Sequence, residues 1–493
     1  MSDRTRADAV YSALLQRQGE QWVQPRVERT RRVLELLADP QRTYRVIHVT
    51  GTNGKTSTSR IIESLLRAMG LRTGLFTSPH LERFTERILI DGEPVDDAAI
   101  ADAWDEIQPF VDMVDAELAA SDDAPLTFFE LLTVLAFVVA ADAPIDVLVL
   151  EVGMGGEWDS TNTADGDVAV FTPIDIDHAD RLGSTITEIA TVKAGIIKPG
   201  AAVVSAVQPP EALRAIRARA EKEGATVSVA GDGFALEDQT LAVGGQQVSI
   251  RGVAGTYREV YLPLYGAHQG ANAALAVAAV ESLIGGGEQP LNADVVADGL
   301  GNATSPGRLQ LLGTAPTVFV DAAHNPHGAR ALVAALKESF DIDEWGAVVG
   351  ILEGKDAEGI MSTLAPAVAR VFATAPDSDR ATDPDAIADV AEAADLPVTV
   401  HPTLEDAADA ARAWAAESDR RAVVIAGSVV LAGEALRLSE LEDWKSGVAG
   451  VSPPRTARPA AASPAGAHRS RSARWCSASS RSSCSSAVSS STA

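Results

Sequence analysis

RVIHVTGTNGKT, running from Arg45 to Thr56, is the stretch whose reading decides the fold. RVIHVT is a short β-branched run that reads as a strand, and GTNGKT follows it without a spacer. After the loop, Ile61, Ile62, Leu65, Leu66 and Met69 fall on one face of a helix, which Gly70 terminates. Strand, glycine loop and helix together present backbone N–H groups and a helix N-terminus to an anion. The spacing departs from the common phosphate loop, because the position five before Gly54 holds Val49 instead of glycine. A chance glycine-rich turn is the plain alternative, and the flanking strand and amphipathic helix argue against it. On the phosphate reading, the loop residues Thr52, Asn53 and Gly54 cradle phosphate with backbone amides. Lys55 neutralises its charge, and the Thr56 hydroxyl ligates Mg²⁺.

Outward from the loop the chain keeps an α/β rhythm. The first forty residues read as helix, and DVLVLEV (Asp146 to Val152), DVAVFTP (Asp167 to Pro173) and AAVVSAV (Ala201 to Val207) read as strands. Between Ala225 and Pro263 short alternating runs around a Gly-Gly turn predict β-hairpins, and a helix from about His268 to Leu283 closes this region. Beyond SPGRLQ, the runs TVFVDAAHNP, WGAVVGIL, RVFATAP, LPVTVHP and RAVVIAGS alternate with helical stretches, which predicts an open parallel sheet with covering helices. The expected fold class is therefore α/β. A P-loop NTPase-like N-terminal domain with a mixed sheet covers residues 1–302, and a smaller Rossmann-like α/β domain covers 303–445. Residues 446–493 are Ser, Ala, Arg and Pro without periodicity, and read as a disordered tail.

Composition narrows the partners. The chain of 493 residues carries a net charge of −27, and the six arginines after Pro454 have no acid among them, so the body is more acidic still. Such a body repels nucleic acid and anionic membranes. Only seven basic residues are lysines, which suits either a salt-rich cytoplasm or a GC-rich genome. Both cysteines, Cys476 and Cys484, lie in the tail, so the body has no disulfide framework. The N-terminus MSDRTRADAV lacks the apolar core of a signal peptide, and the longest apolar run is roughly half the ~20 residues of a bilayer span. A cytoplasmic protein is expected. No long apolar stripe is left over, so a monomer is expected too.

The reaction is signalled downstream of the loop. EVGMGGEWDSTN begins with Glu151 at the end of a predicted strand, where α/β sheets place ligand groups. IDIDHADRLGSTITEIATVKAGIIKPG puts His178 after another strand and Lys193 fifteen residues further on. TSPHLERFTERI (Thr77 to Ile88), TFFELLT (Thr127 to Thr133), GAHQGANAALA, SPGRLQ, DAAHNPHGA and GILEGKD follow. Taken with GTNGKT, this series resembles the Mur ligase superfamily, and within it the folylpolyglutamate synthase/dihydrofolate synthase family.

The resemblance implies roles at matching positions. Thr56, Glu151 and His178 would hold magnesium ions, with Ser57 the reserve hydroxyl, and Lys193 would carry a carbamate that helps bind a second Mg²⁺. Asn272, Arg308, Asp321 and His324 would surround ATP. Ser78, His80 and Arg87 would line the pterin-glutamate cleft, Phe128 or Phe129 would stack on the pterin, and Ser428 would contact glutamate. The implied activity is an ATP-dependent carboxylate-amine ligase that adds L-glutamate to dihydropteroate, folate-glutamates or both through an acyl phosphate, with Lys55, Lys193 and His178 at the chemistry. One departure is Glu157, where the family usually has arginine. Two alternatives stand beside this reading: a murein-precursor amino-acid ligase, and a nucleotide-binding regulator without catalysis.

Overall fold

The computed structural model describes residues 2–19, 26–177 and 179–444. All of them lie in one compact unit, Met1–Pro454. The expected tail and His178 therefore lie outside the described residues.

RVIHVT forms β1 (Arg45–Thr50), and every residue after the first is buried. Two parallel neighbours sandwich it, β5 (Val147–Glu151) and β6 (Val168–Phe171). On one side lie β2 (Thr73–Phe76), β3 (Ile88–Ile90) and β4 (Glu93–Pro94); on the other lie β7 (Ala202–Ser205) and β8 (Thr226–Val229). The order is β4-β3-β2-β5-β1-β6-β7-β8, with β3 and β4 antiparallel at one edge. Near-continuous apolar runs suit strands covered on both faces. The register pairs Val49 with Glu151 and Thr50 with Phe171, so the loops after β1, β5 and β6 leave the same sheet edge together. That edge, in mid-sheet, is where open α/β sheets bind ligands.

Helices cover both faces. Val27–Leu36 and Phe128–Asp142 pack into one apolar layer. Lys55–Ala68 and Ala267–Gly285 form the other. The second of these is buried almost all round because a three-stranded antiparallel sheet closes over it. That sheet is β9 (Ala235–Ala242), β10 (Gly245–Arg251) and β11 (Thr256–Leu262), the expected hairpins. Thr226–Val229, read from its alternation as part of those hairpins, instead joins the main sheet as its parallel edge strand. An edge strand half open to solvent alternates as a hairpin strand does.

The remaining strands build a second sheet, ordered β12-β13-β17-β14-β15-β16. Its members are β12 (Gln310–Thr314), β13 (Thr317–Val320), β14 (Glu344–Val349), β15 (Arg370–Ala373), β16 (Val398–Val400) and β17 (Arg421–Ala426). All neighbours are parallel except β12, an antiparallel edge. The five expected strand runs are thus all present. Among the described residues no helix is long and apolar enough to cross a membrane.

Candidate active site

The loop after β1 is stitched down before it meets any ligand. Gly51 has φ +147°, and a Cβ there would collide with Thr172 at the end of β6. Thr52 donates its N–H to the Pro173 carbonyl at 2.9 Å, and its hydroxyl donates to the Asp175 carbonyl at 2.9 Å. Gly54, at φ +86°, opens the helix Lys55–Ala68. The helix's first N–H groups and its dipole thus point at the loop's concave side. Asn272 packs against Gly54 and donates to Gln269 at 3.1 Å, so the helix Ala267–Gly285 comes up to the loop.

Charged groups converge here with few partners. The Lys55 ammonium folds back onto the carbonyls of Gly51 (3.2 Å) and Thr52 (3.1 Å). Burial lowers its pKa, against the pull of Glu151 and Asp177. The Thr56 hydroxyl donates to Glu151 Oε1 at 3.0 Å. Glu151 is 1% exposed, its Oε2 meets no hydrogen-bond donor among the described residues, and burial raises it to about 7. Ser57 turns elsewhere, within 2.9 Å of Ser305 and accepting from Gln269 at 3.3 Å. Of the two expected hydroxyls, Thr56 is therefore the one on the carboxylate.

Lys193 reaches the same place from the last turn of the helix Ile186–Ala194. Its ammonium donates to the Gly51 carbonyl at 2.8 Å, so two lysines share one oxygen. Burial, with Lys55 adding to it, brings Lys193 down to about 7. The loop after β5 holds that helix, since Glu157 donates its N–H to Val192 O at 2.8 Å. The Glu157 side chain points away, largely exposed and 3.8 Å from Arg219. The charge reversal at this position therefore faces solvent and the helix Pro210–Glu223. Asp159 braces the loop from below, accepting from Met154 N (2.9 Å), Thr161 N (3.0 Å) and the Thr161 hydroxyl (2.5 Å).

The opposite wall comes from the second sheet. Asp321, just after β13, accepts the N–H of Leu309 and of Ala323, both at 2.8 Å. It thereby ties the SPGRLQ turn to the strand end. Burial raises its pKa, opposed by Arg308 and these two hydrogen bonds. His324 lies within 2.9 Å of the Ala322 carbonyl through Nδ1, which must carry the proton, leaving Nε2 as an acceptor. Burial keeps the ring neutral, at about 4. Arg308 donates to its neighbour's carbonyl, Gly307 O, at 3.3 Å.

Several residues that join the walls were not expected. Asn325 caps the helix Pro326–Ser339 through Gly328 N (2.8 Å) and also donates to Asp177 (3.1 Å) and Asn53 (3.3 Å). Asn53 in turn lies 2.5 Å from His327, Lys355 lies 3.5 Å from Asp177, and Arg330 pairs with Asp175 at 3.0 Å. DAAHNPHGA, GKD and the IDID of IDIDHADRLG, already singled out as motifs, carried a signal for all of them but Arg330.

On the substrate side the structure separates the expected residues. His80 accepts from Arg87 Nε at 2.8 Å, and the Arg87 guanidinium lies 5.2 Å above the Phe128 ring. Burial, then Arg87, lowers His80 to about 4. His80 lines a cleft with Thr56, Thr77, Glu86 and Arg308, and Ser78 is half-buried beside it. Phe128 is a correction: it is 3% exposed, with Arg87 on its face and Tyr11 at its edge, which leaves no face for a flat ligand. Phe129 is half-buried against Gly153. Ser428 is a second correction, 1% exposed and committed to capping the helix Val429–Leu441 through Leu431 N at 3.0 Å.

Comparison with known proteins matches this architecture. Residues 49–280 match the Mur ligase middle domain, and residues 307–429 match the Mur ligase glutamate ligase domain. The chain is 42% identical over 446 residues to a dihydrofolate synthase/folylpolyglutamate synthase of Mycobacterium tuberculosis, covering 86% of this chain and 92% of that protein. Among solved structures it resembles Mycobacterium tuberculosis folylpolyglutamate synthase complexed with ADP. The TM-score is 0.84 at 41% identity, covering 89% of this chain and 99% of the other. It also resembles Escherichia coli FolC in complex with DHPP and ADP, with a TM-score of 0.75 at 29% identity, covering 85% and 94%.

Proposed function

The chain belongs to the folylpolyglutamate synthase/dihydrofolate synthase family of the Mur ligases, and from that premise we propose how its own residues divide the work. It is an ATP-dependent ligase that adds glutamate in folate metabolism. The observation that carries the residue assignment is the bare, buried Glu151 carboxylate oxygen, hydrogen-bonded through its other oxygen to the loop hydroxyl Thr56.

That pair fits Mg²⁺. A buried carboxylate with an oxygen unpartnered among the described residues, and a hydroxyl 3.0 Å from its other oxygen, are hard oxygen ligands that suit such a cation. Thr56 and Glu151 would hold it, and His178 would join them. When bound, the ion offsets charge on the phosphates. Lys193 suits carbamylation, because only a neutral amine reacts with CO₂ and burial has already brought this one to about 7. A carbamate there would supply an anion for a second Mg²⁺. Carbon-13 NMR with labelled bicarbonate tests this: a carbamate resonance in the wild type must vanish in Lys193→Met.

The chemistry proceeds in two displacements. A carboxylate oxygen of the pteroate or folyl-glutamate attacks the γ-phosphorus of ATP. The bond to the β–γ bridging oxygen breaks, and ADP leaves. The amine of L-glutamate then attacks the acyl carbon, sheds a proton and expels phosphate. Two anions meet in the first step, so Lys55 and the loop amides act by neutralising charge. Asn272, Arg308, Asp321 and His324 frame the nucleotide, with Arg308 free to swing from its weak carbonyl contact. Phe129, rather than Phe128, takes the stacking role beside Gly153.

Residues 1–302 form the ATP-binding region and 303–445 the glutamate-ligase region, and the two close before chemistry. The enzyme works as a cytoplasmic monomer on small molecules. Incubation with ATP, L-glutamate and either dihydropteroate or tetrahydrofolate tests the reading through phosphate release that needs both cosubstrates. Release with a UDP-linked peptide acceptor and none with any pterin would point to murein chemistry and overturn it.

A further inference from the structure

One helical turn beyond Thr56, on the same face of the helix Lys55–Ala68, stands Arg60. It lines the cleft with Thr56, Thr77, His80, Glu86 and Arg308. Among the described residues its guanidinium meets no hydrogen-bond acceptor and no ion-pair partner. The surrounding carboxylates are committed elsewhere. Glu86 accepts the N–H groups of Leu81 (2.9 Å), Glu82 (3.2 Å) and Arg83 (2.7 Å). Glu63 holds Arg67 at 3.1 Å and the Thr73 hydroxyl at 2.7 Å. Glu151 holds Thr56. Burial acts against the charge of Arg60, and Arg308 adds a second cation facing the same space.

Five N–H donors left without acceptors in a half-buried cleft are costly, and an anion arriving there recovers that cost. The nucleotide phosphates have their own cradle one turn earlier, at the loop and helix N-terminus. The space at Arg60 is walled instead by Thr77 and His80 from the pterin-side motif, beside the place where the acceptor carboxylate is activated. Dihydropteroate carries only the carboxylate that reacts. L-Glutamate carries an α-carboxylate next to its reacting amine, and the terminal glutamate of a folyl-glutamate acceptor carries a second carboxylate besides the one that reacts.

We propose that Arg60 is a specificity-determining residue that binds the α-carboxylate of a glutamate unit, so that the cleft is completed only by an amino-acid dianion. The inference rests on the ligase reading above. Its source, the incoming amino acid or the acceptor's terminal glutamate, is separable by kinetics.

The test uses full-length wild type, Arg60→Gln and Arg60→Lys, with phosphate release followed while each substrate is varied in turn. Arg60→Gln should raise KM about 10- to 100-fold for the substrate whose α-carboxylate is held. KM for ATP should stay within about twofold, and Arg60→Lys should recover part of the loss. A rise in KM for L-glutamate with either acceptor assigns the incoming amino acid. A rise confined to the folyl-glutamate acceptor, with dihydropteroate turnover unchanged, assigns the acceptor. Removing an unpaired half-buried cation should leave the melting temperature unchanged or higher, whereas loss of a structural arginine lowers it. Unchanged KM values for both substrates, or a lower melting temperature with a uniform fall in kcat, overturn the proposal. Wild-type enzyme assayed in parallel separates this from failure of the ligase reading, in which it too would release no phosphate.

Discussion

The two walls of the cleft treat their polar groups in opposite ways. Among the described residues on the loop side, Lys55 meets only main-chain carbonyls, Glu151 keeps one oxygen bare, and Arg60 has no acceptor. On the second-sheet side, Asp321 is saturated by two backbone N–H groups and Ser428 caps a helix. Asn325 does both jobs, capping its helix while reaching across to Asp177 and Asn53. Unsatisfied buried groups destabilise a fold, so their concentration on one wall marks where ligands supply the missing partners. On the second-sheet wall Asp321 and Ser428 position the backbone, and the groups left to meet a ligand are Arg308, with its weak carbonyl contact, and Nε2 of His324.

Breaking this contrast is a matter of substituting matched residues on each side. The largest effect is expected for Lys55→Ala, which should cut phosphate release by roughly three orders of magnitude, at the upper end of what a single charge-stabilising group contributes. Its melting temperature should hold, because only two carbonyl contacts are lost. A variant that is active, or unfolded, would erase the distinction between the walls.

Glu151→Gln comes next, with a loss of about 100-fold in kcat and a weaker response to Mg²⁺. The pH dependence sharpens it. Burial holds Glu151 at about 7 against an ordinary 4.5, so the folded state binds this proton more tightly than the unfolded chain does. Its ionisation therefore removes stability from the ligand-free fold as pH climbs from 4.5 to about 7, and Glu151→Gln should flatten that part of a denaturation-versus-pH curve. Mg²⁺ affinity, measured by calorimetry, should rise with pH up to about 7, since the ion requires the carboxylate form.

On the saturated wall the order of readouts reverses. Asp321→Ala strands the N–H groups of Leu309 and Ala323, and should cost about 2–4 kcal/mol in urea denaturation before any effect on KM for ATP is considered. Ser428→Ala removes a cap, with an expected cost of about 1 kcal/mol and kcat changed less than about twofold. A large rise in KM for glutamate with unchanged stability would restore a direct substrate role to Ser428.

What the sequence disclosed follows the range of the interactions involved. The strand, loop and helix from Arg45 to Ala68 were legible because each is specified by neighbours along the chain. Glu151 and Lys193 were legible through motif resemblance. Arg60 was not, because an arginine on a polar helix face reads as solvated until the opposing wall is in place. The Asp177–Lys355 pair likewise joins residues far apart in sequence. Phe128 and Phe129 were indistinguishable for a different reason. Leu131 to Ala140 are buried on every side of their helix, so apolar periodicity carries no phase with which to aim either ring.

The Gly51 carbonyl, which accepts from Lys55 and Lys193 together, has a consequence in proton traffic. On the proposal above, Lys193 would shed a proton in becoming a carbamate, and Glu151 would shed one in accepting a cation. Lys55, whose own pKa burial lowers, gains affinity for its proton once phosphate replaces a carbonyl as its partner. On that proposal two groups release protons while Lys55 takes up at most one, so loading the site near neutral pH would be net acid-releasing. Its heat should change with the ionisation enthalpy of the buffer, and that dependence counts the protons leaving as the loop fills.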